Sequence, residues 1–262
     1  MGGGDYRVDG LAVERTDTGI TVAFDRPAQR NAITYDMYEV LTAIFEDAKT
    51  NPEMRSITLT GTGSIFTAGH DMSGFARGLS LGVEEKPSFG FMRALSECPA
   101  PVIAAVNGDA VGIGATMLFH CDFVYAVPGA RLVFPFMKMG LIPEFASTHY
   151  LPRMIGQRQA MELFLLQGQA STEQALQWGL ISALIPHDDL GAHAASVASV
   201  IAALSPQAVR ETKRLAKQHE GDAVRKAISD EAHSFHELLK TDFVKDRIGA
   251  IQQNISGKGK TG

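Results

Sequence analysis

The sequence has few cysteines, no surplus of basic residues and no long apolar run. Its two cysteines, Cys98 and Cys121, are too few for a disulfide framework or a cysteine-rich zinc site, so we expect both to be core residues. The net charge of −5 argues against a nucleic-acid-binding protein. No segment reaches the ~18 apolar residues of a membrane-spanning helix. The first ten residues also lack the charged and apolar regions of a signal peptide. We therefore expect no nucleic-acid partner, no membrane association and a cytoplasmic location.

Two catalytic motifs are also missing. The chain has no Gly-x-x-x-x-Gly-Lys-Ser/Thr phosphate loop and no His-Glu-x-x-His zinc motif. Its eight histidines are scattered along the sequence. We therefore predict no metal site, and the remaining candidates for chemistry are glycine-rich loops and isolated carboxylates.

Strand and helix patterns alternate in the first part of the chain. Residues 11–24 predict a hairpin with its turn at Asp17-Thr18-Gly19, because apolar residues alternate on both sides of that turn. Thr34 is a suitable N-cap, and helical spacing of the apolar residues after it predicts an amphipathic helix over 35–49. Residues 56–60, 101–106 and 123–126 read as buried strands. This alternation predicts an α/β fold.

Later segments read differently. Residues 76–90 are rich in glycine, serine and charge, and we expect a mobile loop there. From about residue 156 the pattern is helical. Ser171 begins a capping-box pattern, Ser205-Pro206 is a helix start, and a long apolar stripe ends near Lys240.

Two glycine clusters lie where a predicted strand meets a predicted helix, over residues 66–71 and 107–114. Glycine lets the backbone approach a ligand closely, and the first N–H groups of a helix have no partner within it. Two such N–H groups from separate loops can converge on one oxygen and form an oxyanion hole. From spacing alone, two tight turns are the favoured explanation of the clusters.

Further motifs occur in an order typical of one enzyme family. They are Arg26-Pro27 with Asn31-Ala32, Ala68-Gly69-His70-Asp71, the segment from Asn107-Gly108 to Asp122, Met139-Gly140-Leu141-Ile142-Pro143-Glu144, and Gln174-Ala175 with Trp178-Gly179-Leu180. In type and order they resemble the motifs of the enoyl-CoA hydratase/isomerase (crotonase) family, over roughly residues 10–220.

This resemblance implies a crotonase-like spiral of repeated ββα turns with a helical C-terminal region. We expect a spiral core with the acyl-CoA site over 5–200 and a helical trimerisation region over 201–262. It also implies an acyl-CoA substrate, a homotrimer or dimer of trimers, and no cofactor, because coenzyme A is part of the substrate.

The resemblance also implies which residues form the site. The oxyanion donors correspond to the backbone N–H groups of His70 and Ile113. The other predicted substrate-binding residues are Ala68, Gly69, Asp71, Met72, Gly112 and Gly114. His70 stands where the family usually has alanine, so a contact between its imidazole and the substrate is left open.

The acidic residues separate branches of the family. Hydratases of the family carry two glutamates, which correspond here to Thr116 and Phe136, and neither of these side chains can act as a general acid or base near neutral pH. Glu144 follows Pro143 among apolar residues, an arrangement similar to the peroxisomal-type Δ3,Δ2-enoyl-CoA isomerases. The alternative for Glu144 is a surface carboxylate on a loop. Burial would raise its pKa, which suits a base that must return its proton.

These residues predict an isomerase that converts 3-enoyl-CoA into trans-2-enoyl-CoA with Glu144 as its base. Phe136, Met137, Met117 and Leu118 are expected to keep the acyl pocket dry, and packing in the core would explain each of them equally well. Alternatives are an epoxyacyl-CoA isomerase, a hydratase that uses Glu144 alone, and a non-catalytic acyl-CoA-binding protein.

Overall fold

Two sheets carry the fold in the computed structural model, which describes residues 6–258 and the side chains of all of these except 75–77 and 251–258. The strands are β1 (Leu11–Thr16), β2 (Gly19–Phe24), β3 (Ile57–Gly61), β4 (Ile65–Thr67), β5 (Val102–Val106), β6 (Asp109–Val111), β7 (Phe123–Ala126), β8 (Arg131–Val133), β9 (Gln169–Ser171) and β10 (Ala183–Leu184). The six-stranded sheet has the order β1-β2-β3-β5-β7-β10, and the four-stranded sheet has the order β4-β6-β8-β9.

Helices connect the strands and form most of the second half. They are α1 (Tyr35–Thr50), α2 (Phe75–Ser80), α3 (Pro87–Ser96), α4 (Ile113–Thr116), α5 (Ser147–Ile155), α6 (Gln157–Glu162), α7 (Thr172–Gln177), α8 (His187–Ala202), α9 (Pro206–Lys217), α10 (Gly221–Leu239) and α11 (Asp242–Lys258).

The chain winds through both sheets in repeated turns. Three times, a strand of the larger sheet is followed by a strand of the smaller sheet and then by helix: β3 and β4, β5 and β6, and β7 and β8. Within each sheet these strands pair in parallel. The predicted α/β spiral of ββα turns with a helical C-terminal region is confirmed.

Several local predictions are also confirmed. The hairpin pairs β1 with β2 in the antiparallel sense, with Leu11 opposite Phe24. Thr34 caps α1 by accepting a hydrogen bond from the Met37 amide at 3.3 Å. Ser171 forms the expected capping box with Gln174 at the start of α7.

The expected mobile loop over 76–90 is wrong. This stretch holds most of α2, a 3₁₀ turn over Val83–Glu85 and the start of α3. Pro87 opens α3 at a position where its missing N–H costs nothing. The buried residues of α3 include Phe89, Phe91 and Met92. This apolar face outweighs the loop-like composition before it.

The main core extends into the C-terminal region. Val224, Ile228, Leu239 and Val244 are buried in the same apolar cluster as the strands and α1. The boundary at residue 200 and the role of 201–262 in trimerisation stay predictions. Within the described chain, no single helix is long and apolar enough to cross a membrane, although α8 and α9, bent by 104°, together pass the same test of length and composition.

Candidate active site

Three loops meet around a cavity of about 380 Å³. They follow the parallel strands β4, β6 and β8, and the carboxyl ends of parallel strands are a common place for ligands in α/β folds. The first loop contributes Ala68, His70 and Met72, the second contributes Gly112 and Ile113, and the third contributes Glu144. The structure therefore brings six of the predicted site residues to one cavity.

The loop after β4 is held by the segment before α1. The Ala68 amide donates to the Arg30 carbonyl at 2.9 Å, and the Ile33 amide donates to the Gly69 carbonyl at 2.8 Å. The Asn31 side chain is fully buried and donates to the carbonyls of Thr62 and Ile65. The segment that carries the Arg-Pro and Asn-Ala motif therefore holds this loop in place through hydrogen bonds. The His70 amide has no partner in the described part of the chain.

The loop after β6 turns sharply at Gly112. Its φ of 57° and ψ of −124° define a conformation that glycine adopts most readily. Ile113 is the first residue of α4, so its N–H has no partner within the helix. A Cβ built on Gly69, which has a φ of 83°, would lie 2.5 Å from the Val111 carbonyl oxygen and 3.6 Å from the Ile113 nitrogen. Glycine at position 69 is therefore what lets the two loops approach.

Glu144 lies between a proline and a strained turn. The two residues after it, Phe145 and Ala146, have φ values of 63° and 57°, in the left-handed region that side chains disfavour. Glu144 is exposed only in part and lines the cavity. Burial raises its pKa to about 8, with a further rise from Glu231 and an opposing effect from Lys86. A carboxyl group in this range can both accept and return a proton near neutral pH.

The His70 imidazole packs against tyrosines. Its ring centroid is 5.1 Å from that of Tyr35 and 5.8 Å from that of Tyr38, with the Tyr38 ring nearly parallel. Burial lowers the pKa of His70 to about 4. At neutral pH the ring is therefore uncharged, and it forms part of the cavity wall.

Three predicted substrate-binding residues do not line the cavity in the described structure. Gly69 packs on the second loop, and Gly114 packs against Thr67. The Asp71 carboxylate binds Arg26 and Ser73, and these hydrogen bonds hold its pKa below the usual value although burial opposes them. The part these residues take in substrate binding stays a prediction.

The two positions that correspond to the hydratase glutamates lie in different surroundings. Phe136 is buried and lines the cavity, as expected. Thr116 is fully buried, and its hydroxyl has no partner in the part of the chain described. Met117 and Leu118, on the 3₁₀ turn that follows α4, pack in the core, which was the alternative to the acyl pocket. Met137 is also absent from the described cavity wall. Met92, Met139 and Leu141 are among the residues that supply the apolar wall.

Sequence reasoning missed two contributions to the cavity. Lys86, before α3, lines it, and its Nζ lies 2.9 Å from Nδ1 of His236. Ala232, Phe235 and Leu239 of α10 also line it. Their spacing of three and four residues places them on one face of the helix, and this apolar face could have been recognised from the sequence. Among the described residues, no group of three or more His, Cys, Asp or Glu side chains could hold a metal ion.

A sequence model of the family described as enoyl-CoA hydratase/isomerase matches residues 14–253. The chain belongs to this family, also known as the crotonase family. It is 30% identical over 253 residues to enoyl-CoA delta isomerase 2 of Rattus norvegicus, covering 94% of this chain and 63% of the rat protein. The chain thus spans less than two thirds of that relative.

Two further relatives are similar over most of their length. 1,2-Epoxyphenylacetyl-CoA isomerase of Escherichia coli is 36% identical over 192 residues, covering 70% of this chain and 72% of that enzyme. The solved structure of OdaA from Pseudomonas aeruginosa superposes with a TM-score of 0.89 at 38% identity, covering 93% of this chain and 99% of OdaA. Both comparisons agree with the fold and with membership of the family.

Proposed function

We propose that the chain is an isomerase that converts 3-enoyl-CoA into trans-2-enoyl-CoA. The observation that carries this proposal is the acid content of the cavity: Glu144 is its one carboxylate among the described lining residues. Hydration of a double bond needs both activation of water and protonation of carbon, which two positioned carboxylates usually supply. A double-bond shift needs one group that moves a single proton.

The proposed reaction uses backbone and carboxylate together. The His70 and Ile113 amides would bind the thioester oxygen, which makes the proton on C2 more acidic. Glu144 would remove that proton, and the amides would stabilise the negative oxygen of the resulting dienolate. The protonated Glu144 would then deliver the proton to C4, which gives the conjugated product. No water and no further cofactor are consumed.

A second candidate is isomerisation of a ring-epoxide thioester, favoured by the 36% identity to the Escherichia coli epoxyphenylacetyl-CoA enzyme. Three substrates separate the alternatives: a 3-enoyl-CoA, a trans-2-enoyl-CoA and an epoxyacyl-CoA. The proposed isomerase raises the absorbance of the conjugated thioester only with the first. A hydratase lowers it with the second, an epoxide isomerase consumes only the third, and a pure binding protein changes none.

The activity should rise with pH. Glu144 must be unprotonated to accept the C2 proton, and its pKa is raised to about 8. The protonated, inactive form therefore dominates below that pH, so kcat/KM should climb through pH 7, reach half its maximum near pH 8 and then level off. Initial rates across pH 6 to 10, at low substrate concentration, measure this. A profile already flat from pH 6 would contradict a buried carboxyl base.

We further propose that the chain forms trimers. Leu165 and Leu166, near α6, are 53% and 76% exposed, and exposed apolar side chains in a cluster often mark an interface. Light scattering at micromolar concentration should give about three times the chain mass of 28.2 kDa. If the surface at Leu165 and Leu166 forms the contact, Leu166→Asp should reduce the measured mass to that of a single chain. If the C-terminal region forms the contact, Leu215→Asp should have this effect instead. A single-chain mass for the unaltered protein would contradict the proposal.

A further inference from the structure

Glu231 of α10 is a buried carboxylate with no part in the proposed proton transfer. Only 4% of its surface is exposed, and buried carboxylates are rare unless they are hydrogen-bonded. In sequence it interrupts an apolar helix face between Ile228 and Phe235. Such a residue, costly to bury, needs a structural or functional reason.

Its hydrogen bonds all go to the turn that follows Glu144. Oε2 accepts the Ala146 amide at 2.6 Å, and Oε1 accepts the Thr148 amide at 2.9 Å as well as the Thr148 hydroxyl. Ala146 is the N-cap of α5, and its own side chain cannot cap the helix. The carboxylate therefore caps α5 from a different helix, 83–85 residues further along the chain.

The turn that Glu231 holds is unfavourable on its own. Phe145 and Ala146 are consecutive left-handed residues with side chains, a conformation that persists only where the surroundings enforce it. On the other side, the Phe145 ring stacks on His120 at 4.0 Å, and the His120 Nε2 lies 2.8 Å from the Phe145 carbonyl oxygen. Glu231 and His120 therefore both help to hold the turn in this conformation.

We propose that Glu231 is a positioning residue for the reaction: by capping α5 from α10, its carboxylate fixes the backbone turn that aims Glu144 into the cavity. The inference rests on Glu144 being the base of the proposed function. It gives α10 two tasks, because the same helix also contributes Ala232, Phe235 and Leu239 to the cavity wall.

The charges around Glu144 and Glu231 affect how the activity should depend on pH. Glu231 raises the pKa of Glu144, after burial, while Lys86, which precedes α3, lowers it. Burial raises the pKa of Glu231 itself to about 7, its hydrogen bonds from Thr148 and Ala146 oppose this, and neighbouring Asp230 adds a smaller rise. Neutralising Glu231 should therefore move the rising limb of the activity profile to lower pH.

The test compares Glu231→Ala and Glu231→Gln with the unaltered enzyme. Misplacement of a reacting group by about 1 Å can lower the reaction rate on the order of 100-fold. In Glu231→Ala, kcat should therefore fall about 10- to 100-fold while KM changes little. Glu231→Gln keeps an acceptor for part of the turn and should retain more activity, with its pH limb shifted down. If Glu231→Ala does not fold, Glu231→Gln carries the test.

Asp122→Asn is the matched control. Asp122 is also a largely buried carboxylate that ties a C-terminal helix to the core, through Lys213 of α9, but it lies outside the cavity wall. Its loss should lower stability without moving the pH limb. Unchanged kcat in both Glu231 variants, or equal losses in Asp122→Asn, would overturn the inference.

A second measurement separates this inference from the proposed function. Hydrogen exchange at the Ala146 and Thr148 amides should be faster in Glu231→Ala than in the unaltered protein, whatever reaction the enzyme catalyses. Unchanged exchange would overturn the inference alone. Near-normal turnover in Glu144→Gln would instead remove Glu144 as the base.

Discussion

Glu144→Gln should lower isomerase turnover by roughly 10²–10⁴-fold, the usual contribution of a positioned acid or base. Glutamine keeps the size of the side chain and its hydrogen bonding but cannot accept the C2 proton. Binding of a saturated acyl-CoA should change little, because the loop amides of His70 and Ile113 are untouched. Stopped assays with 3-enoyl-CoA and titration with the saturated thioester measure the two effects separately.

Two variants control that result. Glu144→Asp keeps a carboxylate but withdraws it by one methylene, so it should be impaired less than Glu144→Gln. Thr116→Ala, at the position that corresponds to a glutamate in the hydratases, should keep most of the activity because Thr116 is buried outside the cavity wall. Near-normal turnover in Glu144→Gln would contradict the mechanism. The other candidate bases are poor ones, since Asp71 is bound to Arg26 and the pKa of His70 is lowered to about 4.

Ile113→Pro should lower turnover by about 10²–10³-fold, the cost of losing one oxyanion donor. Proline is well tolerated as the first residue of a helix, which is the place of Ile113 in α4, so the change removes the N–H with limited damage to the backbone. Ile113→Ala is the matched control, because it also loses the buried side chain but keeps the donor. Equal turnover in the two variants, corrected for the folded fraction, would show that the Ile113 amide does not contribute.

Local signals in the sequence predicted much of the fold. The hairpin, the Thr34 cap and the capping box at Ser171 are short-range features, and each depends on residues close together in the chain. The glycines and charges of residues 76–90 are typical of a loop, although the apolar face of α3 begins within the same stretch. That face is stabilised by packing in the core, which composition does not reveal.

The site was predictable in part. The glycine clusters stand out in the sequence because glycine marks unusual backbone conformations, whereas the roles of Glu144, His70 and Ile113 come from the resemblance to the family. The α10 residues were not found, because their contact with the cavity depends on how a distant helix packs. Glu231 left one signal, a carboxylate on an otherwise apolar face, but only the structure pairs it with Ala146 and Thr148.

A crystal structure with a bound, slowly reacting 3-enoyl-CoA analogue tests the central claim most directly. We expect a thioester oxygen about 2.7–3.1 Å from both the His70 and Ile113 nitrogens. We also expect a Glu144 oxygen about 3–3.5 Å from C2 and within reach of C4 on the same face of the acyl chain. A thioester oxygen bound elsewhere, or a Glu144 carboxylate turned away from both carbons, would contradict it.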